Sequence, residues 1–140
     1  MRSIARMIPS LPPLALCLTA ALVVSGCGVV KEEKKTDALT AAVTSYGSAI
    51  RWGYYETAYG YVHPDERAEI PKNIENVRAT GYDVVQPPVM KDEHTAEQIA
   101  RIEYLHRDVQ RVRSLSDRQE WRYDADTNTW WLHSGVPEFK

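Results

Sequence analysis

The sequence predicts an α+β fold, helices first and an antiparallel meander afterwards, and three observations carry that prediction. Apolar residues recur at three- and four-residue spacing between positions 39 and 50. Beyond Val77 the period falls towards two. A cluster of turn formers, Asp124-Ala125-Asp126-Thr127-Asn128, then precedes a last aromatic run.

The first helix opens at an N-cap supplied by Thr36 or Asp37, and Leu39, Ala42, Val43, Tyr46, Ala49 and Ile50 form its apolar stripe. Gly53 ends or kinks it, after which Tyr54-Tyr55-Glu56-Thr57-Ala58-Tyr59 resumes a helical pattern as far as Val62. His63-Pro64-Asp65-Glu66-Arg67 reads as a fresh start, with proline in the first turn and acids at the positive end of the helix dipole; Pro71 closes it.

Tyr82-Asp83-Val84-Val85 is aromatic and β-branched and reads as a strand that Pro87-Pro88 ends, or carries along an edge or bulge. Residues 96–109 alternate, with Ala100, Ile102 and Tyr104 on one face and Arg101, Glu103 and Arg107 on the other. The alternation continues through 110–114 and 117–123, where Gln119, Trp121 and Tyr123 oppose Arg118, Glu120 and Arg122. The turn at 124–128 leads into a last strand over 129–134.

The chain has 140 residues, 17 Lys+Arg against 19 Asp+Glu, and 44% hydrophobic residues, which suits one globular domain. A net charge of -2 supplies no basic excess for nucleic-acid binding. Both cysteines, Cys17 and Cys27, precede residue 30, so the body of the chain holds no internal disulfide and no cysteine metal site.

Arg2 and Arg6 precede an apolar run over 14–24, the pattern of a secretory leader too short to span a bilayer. It ends in Val24-Ser25-Gly26-Cys27, which resembles the bacterial lipobox. The resemblance implies cleavage after residue 26, lipid on Cys27 and, with Gly28 rather than Asp following, an outer-membrane protein facing the periplasm. The expected organisation is a signal peptide over 1–26, a lipidated cysteine and charged tether over 27–35, and a folded domain over 36–140. The partner is then a membrane held through the lipid on Cys27, with nucleic acid excluded.

The element order, the Gly53–Ala58 turn and the closing Trp121-Arg122-Tyr123…Trp130-Trp131-Leu132 hairpin resemble the NTF2-like superfamily. That resemblance implies N-terminal helices packed into a curved antiparallel sheet as a cone with a pocket. A cystatin-like helix on a sheet explains the same pattern with fewer helices.

Eight tyrosines and four tryptophans against one phenylalanine give the domain large side chains with polar tips. Tyr46, Tyr55 and Tyr59 from the helices, with Tyr104, Trp121 and Tyr123 from the sheet, are the candidates to line a pocket for an amphipathic small ligand, or to fill a core or a homodimer seam. Residues 101–122 hold six arginines, of which Arg101, Arg107, Arg111 and Arg113 make a candidate surface for an anionic partner such as lipid headgroups, cell-wall polymer or another envelope protein; cross-strand ion pairing is the plainer use.

His63, His94, His106 and His133 stand apart, and no cofactor or metal is expected. NTF2-like isomerases move a proton with a buried tyrosine and a carboxylate, and Asp83 or Glu103 with Tyr46 or Tyr59 is the set that could imitate them, although strand parity puts Glu103 outside. The expected function is a non-enzymatic, lipid-anchored binding or assembly module of the cell envelope. The alternative is a pocket enzyme of the proton-transfer isomerase type.

Overall fold

A computed structural model describes the backbone of residues 26–140 and the side chains of residues 28–140. Residues 1–25 of the expected leader and the side chain of Cys27 lie outside the described residues. No helix among the described residues is long and apolar enough to cross a membrane.

The architecture is α+β: one helix packs on a curved, unclosed four-stranded antiparallel sheet. Helix α1 spans Gly26–Trp52 and α2 spans Tyr55–Gly60, followed by two 3-10 turns at Pro64–Glu66 and Lys72–Asn76. The strands are β1 (Val77–Met90), β2 (Thr95–His106), β3 (Val112–Asp124) and β4 (Thr129–Leu132), in sheet order β1-β2-β3-β4.

Three expectations change here. α1 opens at Gly26, so Thr36 and Asp37 lie inside the helix and not at its cap, and residues 27–35 are helical. One helix, rather than several, carries the packing on the sheet. α2 stops after six residues, short of Val62, because residues 61–63 turn to pair with the last strand. Leu132 N donates to the Tyr61 carbonyl at 2.8 Å and His63 N donates to the Leu132 carbonyl at 3.2 Å, so this segment lies parallel beside β4.

The stripe on α1 does what its spacing requires: Leu39, Val43, Tyr46, Ala49 and Ile50 are buried. Gly53, at φ 75°, ends the helix in the left-handed conformation that glycine adopts without strain. Lys35 is also buried within α1; its carbonyl accepts from Trp130 Nε1 at 3.0 Å, and its ammonium lies 5.1 Å from the Tyr123 ring centre.

β2 alternates cleanly, with Ala96, Gln98, Ala100, Ile102 and Tyr104 inward. β3 answers with Asp117, Gln119 and Trp121 inward. β1 is less regular. Its register with β2 shifts at three places, and Pro87-Pro88 lies at the last of them, between the paired positions Gln86 and Val89 on the open edge, where proline and bulges discourage a further strand from adding.

Candidate functional site

Between α1 and the β1 edge runs a groove of about 510 Å³. Its helix wall carries Thr40, Thr44 and Ser48 at one-turn intervals, with Val43 and Gly47 beside them. Its strand wall is Val84, Pro87 and Pro88, and Tyr82 and Gln98 complete the lining. At Gly47 the Tyr82 ring packs directly on the helix backbone, since a Cβ there would lie 2.6 Å from Tyr82 Cε1. A larger residue at 47 would push the tyrosine out of its seat.

Tyr82 and Gln98 connect the groove to a buried polar cluster centred on Gln119. Gln98 and Gln119 face one another across the β2–β3 register, and both are buried. Gln119 Oε1 accepts from Gln98 Nε2 at 3.1 Å and from Trp121 Nε1 at 3.2 Å. Gln119 Nε2 donates to Tyr82 Oη at 2.8 Å and to Asp117 Oδ2 at 2.7 Å. The amide therefore uses both hydrogens and both lone pairs. Alanines stand opposite Trp121 and Asp117, Ala96 across from the first and Ala100 across from the second.

Asp117 is a carboxyl group in an apolar interior. Burial raises its pKa to about 6, against the lowering effect of the Gln119 hydrogen bond and of the nearby Tyr46 hydroxyl. Burial also lifts Tyr82 to about 12, opposed by the Gln119 hydrogen bond. The Tyr46 hydroxyl is raised first by burial and next by the charge of Asp117. It touches Asp117 electrostatically yet finds no partner of good hydrogen-bond geometry, which makes it the exception in an otherwise satisfied cluster.

The six rings expected to line a pocket occupy three separate clusters. Tyr46 and Trp121 pack edge to face at 5.7 Å with Tyr61 against both. Tyr55 and Tyr104 meet across Phe139, with ring centres 6.1 and 5.1 Å from it. Tyr123 packs on Trp130 at 5.2 Å. Tyr59 lines a smaller cleft of about 240 Å³ with Ile74, Pro137 and Phe139. None of the six lines the groove beside α1; there the rings give way to Tyr82, which sequence parity could not place because β1 is bulged.

Asp83 is exposed, in register with Arg101, and Glu103 is exposed as parity indicated. The carboxyl group beside Tyr46 is instead Asp117, which correct parity with Gln119 would have placed inward. Arg101 lies mid-sheet on the outer face, opposite Ser116. Arg107 and Arg111 flank the β2–β3 turn, and Arg113 donates to the Lys140 carbonyl at 2.5 Å. The four arginines are therefore spread along the sheet, and Arg113 is engaged within the chain.

Two histidines that stand apart in sequence meet in space. His63 stacks on His133 at 5.1 Å between ring centres, and Glu66 Oε2 lies 3.0 Å from His133 Nδ1 without hydrogen-bond geometry. No group of three metal-ligating side chains is present among the described residues. Comparison with family models, with curated proteins and with solved structures found no match.

Proposed function

We propose that this chain is a lipid-anchored, periplasm-facing binding module of the bacterial envelope, held to the outer membrane through Cys27 and taking an amphipathic small ligand in the groove beside α1. The observation that carries this reading is the groove's composition. Valine and proline wall one side, hydroxyls at one-turn spacing line the other, and half-buried Tyr82, whose hydroxyl accepts from Gln119 and keeps its own hydrogen to donate, completes the lining over the buried Gln98. About 510 Å³ is within the range of small-molecule sites, and the mixture fits a neutral molecule with an apolar body and a carbonyl or hydroxyl head. The lipobox-like Val24-Ser25-Gly26-Cys27 supports the anchor.

The likeness to an NTF2-like cone belongs to the same proposal. It rests on the order of helix, short helix and antiparallel meander, and on the extra parallel pairing of Val62 with Leu132. The single packed helix favours the simpler, cystatin-like form of that arrangement.

A second reading, the proton-transfer enzyme, draws on the buried Asp117 beside Tyr46 and its pKa of about 6. A carboxyl group poised near neutral pH beside a tyrosine is what general acid–base chemistry uses. Asp117 is only 4% exposed, however, and Gln119 stands between it and Tyr82. That separation favours binding over turnover.

One preparation tests both readings: the full chain, expressed in a Gram-negative host with its own leader, extracted in detergent and titrated with monooleoylglycerol and an unsaturated steroid ketone. Intact mass should show acyl modification at Cys27. Binding should disappear in Thr44→Trp, which fills the groove, and persist in Asp117→Asn, with no product in any variant. An unmodified cysteine would remove the anchor; binding that survives Thr44→Trp would remove the groove; product formation abolished by Asp117→Asn would establish the enzyme instead.

A further inference from the structure

The end of the sheet where α1 terminates holds a second cluster of side chains, unrelated to the groove. Arg51 in the last turn of α1, Arg78 near the start of β1 and Arg107 just beyond β2 converge on two adjoining clefts. One, of about 150 Å³, is lined by Arg51, Trp52, Arg78 and Arg107 among others. The other, of about 650 Å³, shares Arg78 and Arg107 and adds Leu105 and Gln110. Strand pairing produces this convergence: Val77 is in register with His106, and Arg107 N donates to the Asn76 carbonyl at 2.9 Å.

Arg51 is held in place, because its guanidinium donates to the Ala79 carbonyl at 3.0 Å and lies 4.9 Å from the Trp52 ring centre. None of the three arginines forms an ion pair among the described residues. The acid in the neighbouring turn, Asp108, is engaged by the Asn76 side chain, which lowers its pKa. Asp108 therefore stays ionised and offsets one positive charge without closing an ion pair to the arginines among the described residues, and Arg51, Arg78 and Arg107 outnumber it, although the chain as a whole carries a formal charge of -2.

The same end concentrates exposed apolar surface. In residues 34–140 the five most exposed large hydrophobic side chains are Trp52, Tyr54, Val85, Val109 and Val112, and all but Val85 stand here. Trp52 and Tyr54 are 66% and 65% exposed, at the end of α1. Val109 and Val112 flank the turn that carries Arg111, a further guanidinium.

We propose that this end of the domain docks on an anionic bilayer surface, Arg51, Arg78 and Arg107 taking headgroup phosphate oxygens while Trp52, Tyr54, Val109 and Val112 enter the interface. Guanidinium groups match phosphate geometry, and basic residues near an anionic leaflet each add attraction. Tryptophan and tyrosine favour the headgroup level, where ring and polar tip are both accommodated. A free phosphate shares the chemistry of the clefts but leaves the four apolar side chains in water, so their placement selects the membrane. This surface is independent of the groove, and each can fail without the other.

The test uses the full chain with vesicles of phosphatidylglycerol and phosphatidylcholine, with neutral phosphatidylcholine vesicles and, separately, with inorganic pyrophosphate. Because an apolar leader or lipid binds any bilayer, two readouts isolate this end: the excess affinity for anionic over neutral vesicles, and quenching by brominated lipid of the fluorescence that Trp52→Phe lacks. The excess should be about tenfold or more at low salt and shrink as salt rises. It should fall about tenfold in Arg78→Glu/Arg107→Glu, two exposed positions with no ion pair to lose, whose circular dichroism should match the wild type. Unquenched Trp52 on anionic vesicles, or an undiminished excess in the double variant, would overturn the proposal. So would pyrophosphate binding that depends on the arginines while the two vesicle types bind alike, since that outcome defines a small-anion site.

Discussion

The cluster around Gln119 and the arginine end around Arg78 are built from similar groups, amides, rings and ionisable side chains, yet they allocate them in opposite ways. Around Gln119 the polar atoms are spent inside the chain, with four hydrogen bonds converging on one amide. Around Arg78 and Arg107 the guanidinium groups form no ion pair among the described residues, and the flanking rings and valines stand in water. Burial explains the difference: an unmade hydrogen bond in the interior costs the full desolvation of the group, whereas an exposed guanidinium is satisfied by water. Interior polar groups are thus committed to the fold, and those at the sheet end are available to a partner.

The largest way to break this contrast is Gln119→Ala. It leaves Gln98 and Trp121 without their acceptor and Asp117 and Tyr82 without a donor, all in the interior. The expected loss is about 3–5 kcal/mol of stability, read as the midpoint of urea unfolding. A midpoint unchanged from the wild type would show that water or relaxed side chains replace the amide.

Next in size is the pH dependence set by Asp117. Its folded pKa of about 6 lies above the ordinary value of 3.8, so the folded state holds the proton more tightly than the unfolded chain does. The stabilisation from that proton is complete below about pH 4 and is lost as pH rises through about 6, a change of about 3 kcal/mol for this group. Asp117→Asn should remove that slope between pH 4 and 7. At pH 7 it should equal or exceed the wild type in stability, because the neutral amide keeps an acceptor for Gln119 and gains a donor that Tyr46 Oη can use. Unfolding curves at four pH values decide it; identical slopes in both proteins would mean that Asp117 titrates normally.

Much of the inner face was legible because β2 and β3 keep strict alternation: the same residues read as sharing a face, Ile102 with Tyr104 and Gln119 with Trp121, are buried together. The stripe on α1 was legible for the equivalent reason at helical period. Asp117 was hidden by its charge, since an acid beginning an alternating run reads as solvent-facing even when parity with Gln119 places it inside. Tyr82 was hidden by the bulges of β1, which break the period that assigns a face. The charged run before Thr36 read as a tether, but Lys35 is buried within the packed helix, its ammonium over the Tyr123 ring. The meetings of Arg78 with Arg107 and of His63 with His133 depend on strand register, which local pattern does not encode.

The smallest predicted effect tests the outer side of the comparison where it is plainest, at Arg101. This arginine sits mid-sheet, exposed, in register with Asp83 on one neighbouring strand and Ser116 on the other. Register brings opposite charges onto adjacent strands, but no ion pair closes between them among the described residues. Exposed pairs contribute little even when formed, because water screens the attraction and ordering two long side chains costs entropy. Arg101→Ala should therefore leave stability within about 0.5 kcal/mol of the wild type, measured by the same urea midpoint. A loss several times larger would show that the outer face is engaged in the fold as the inner one is, and the division between committed and available polar groups would have to be redrawn strand by strand.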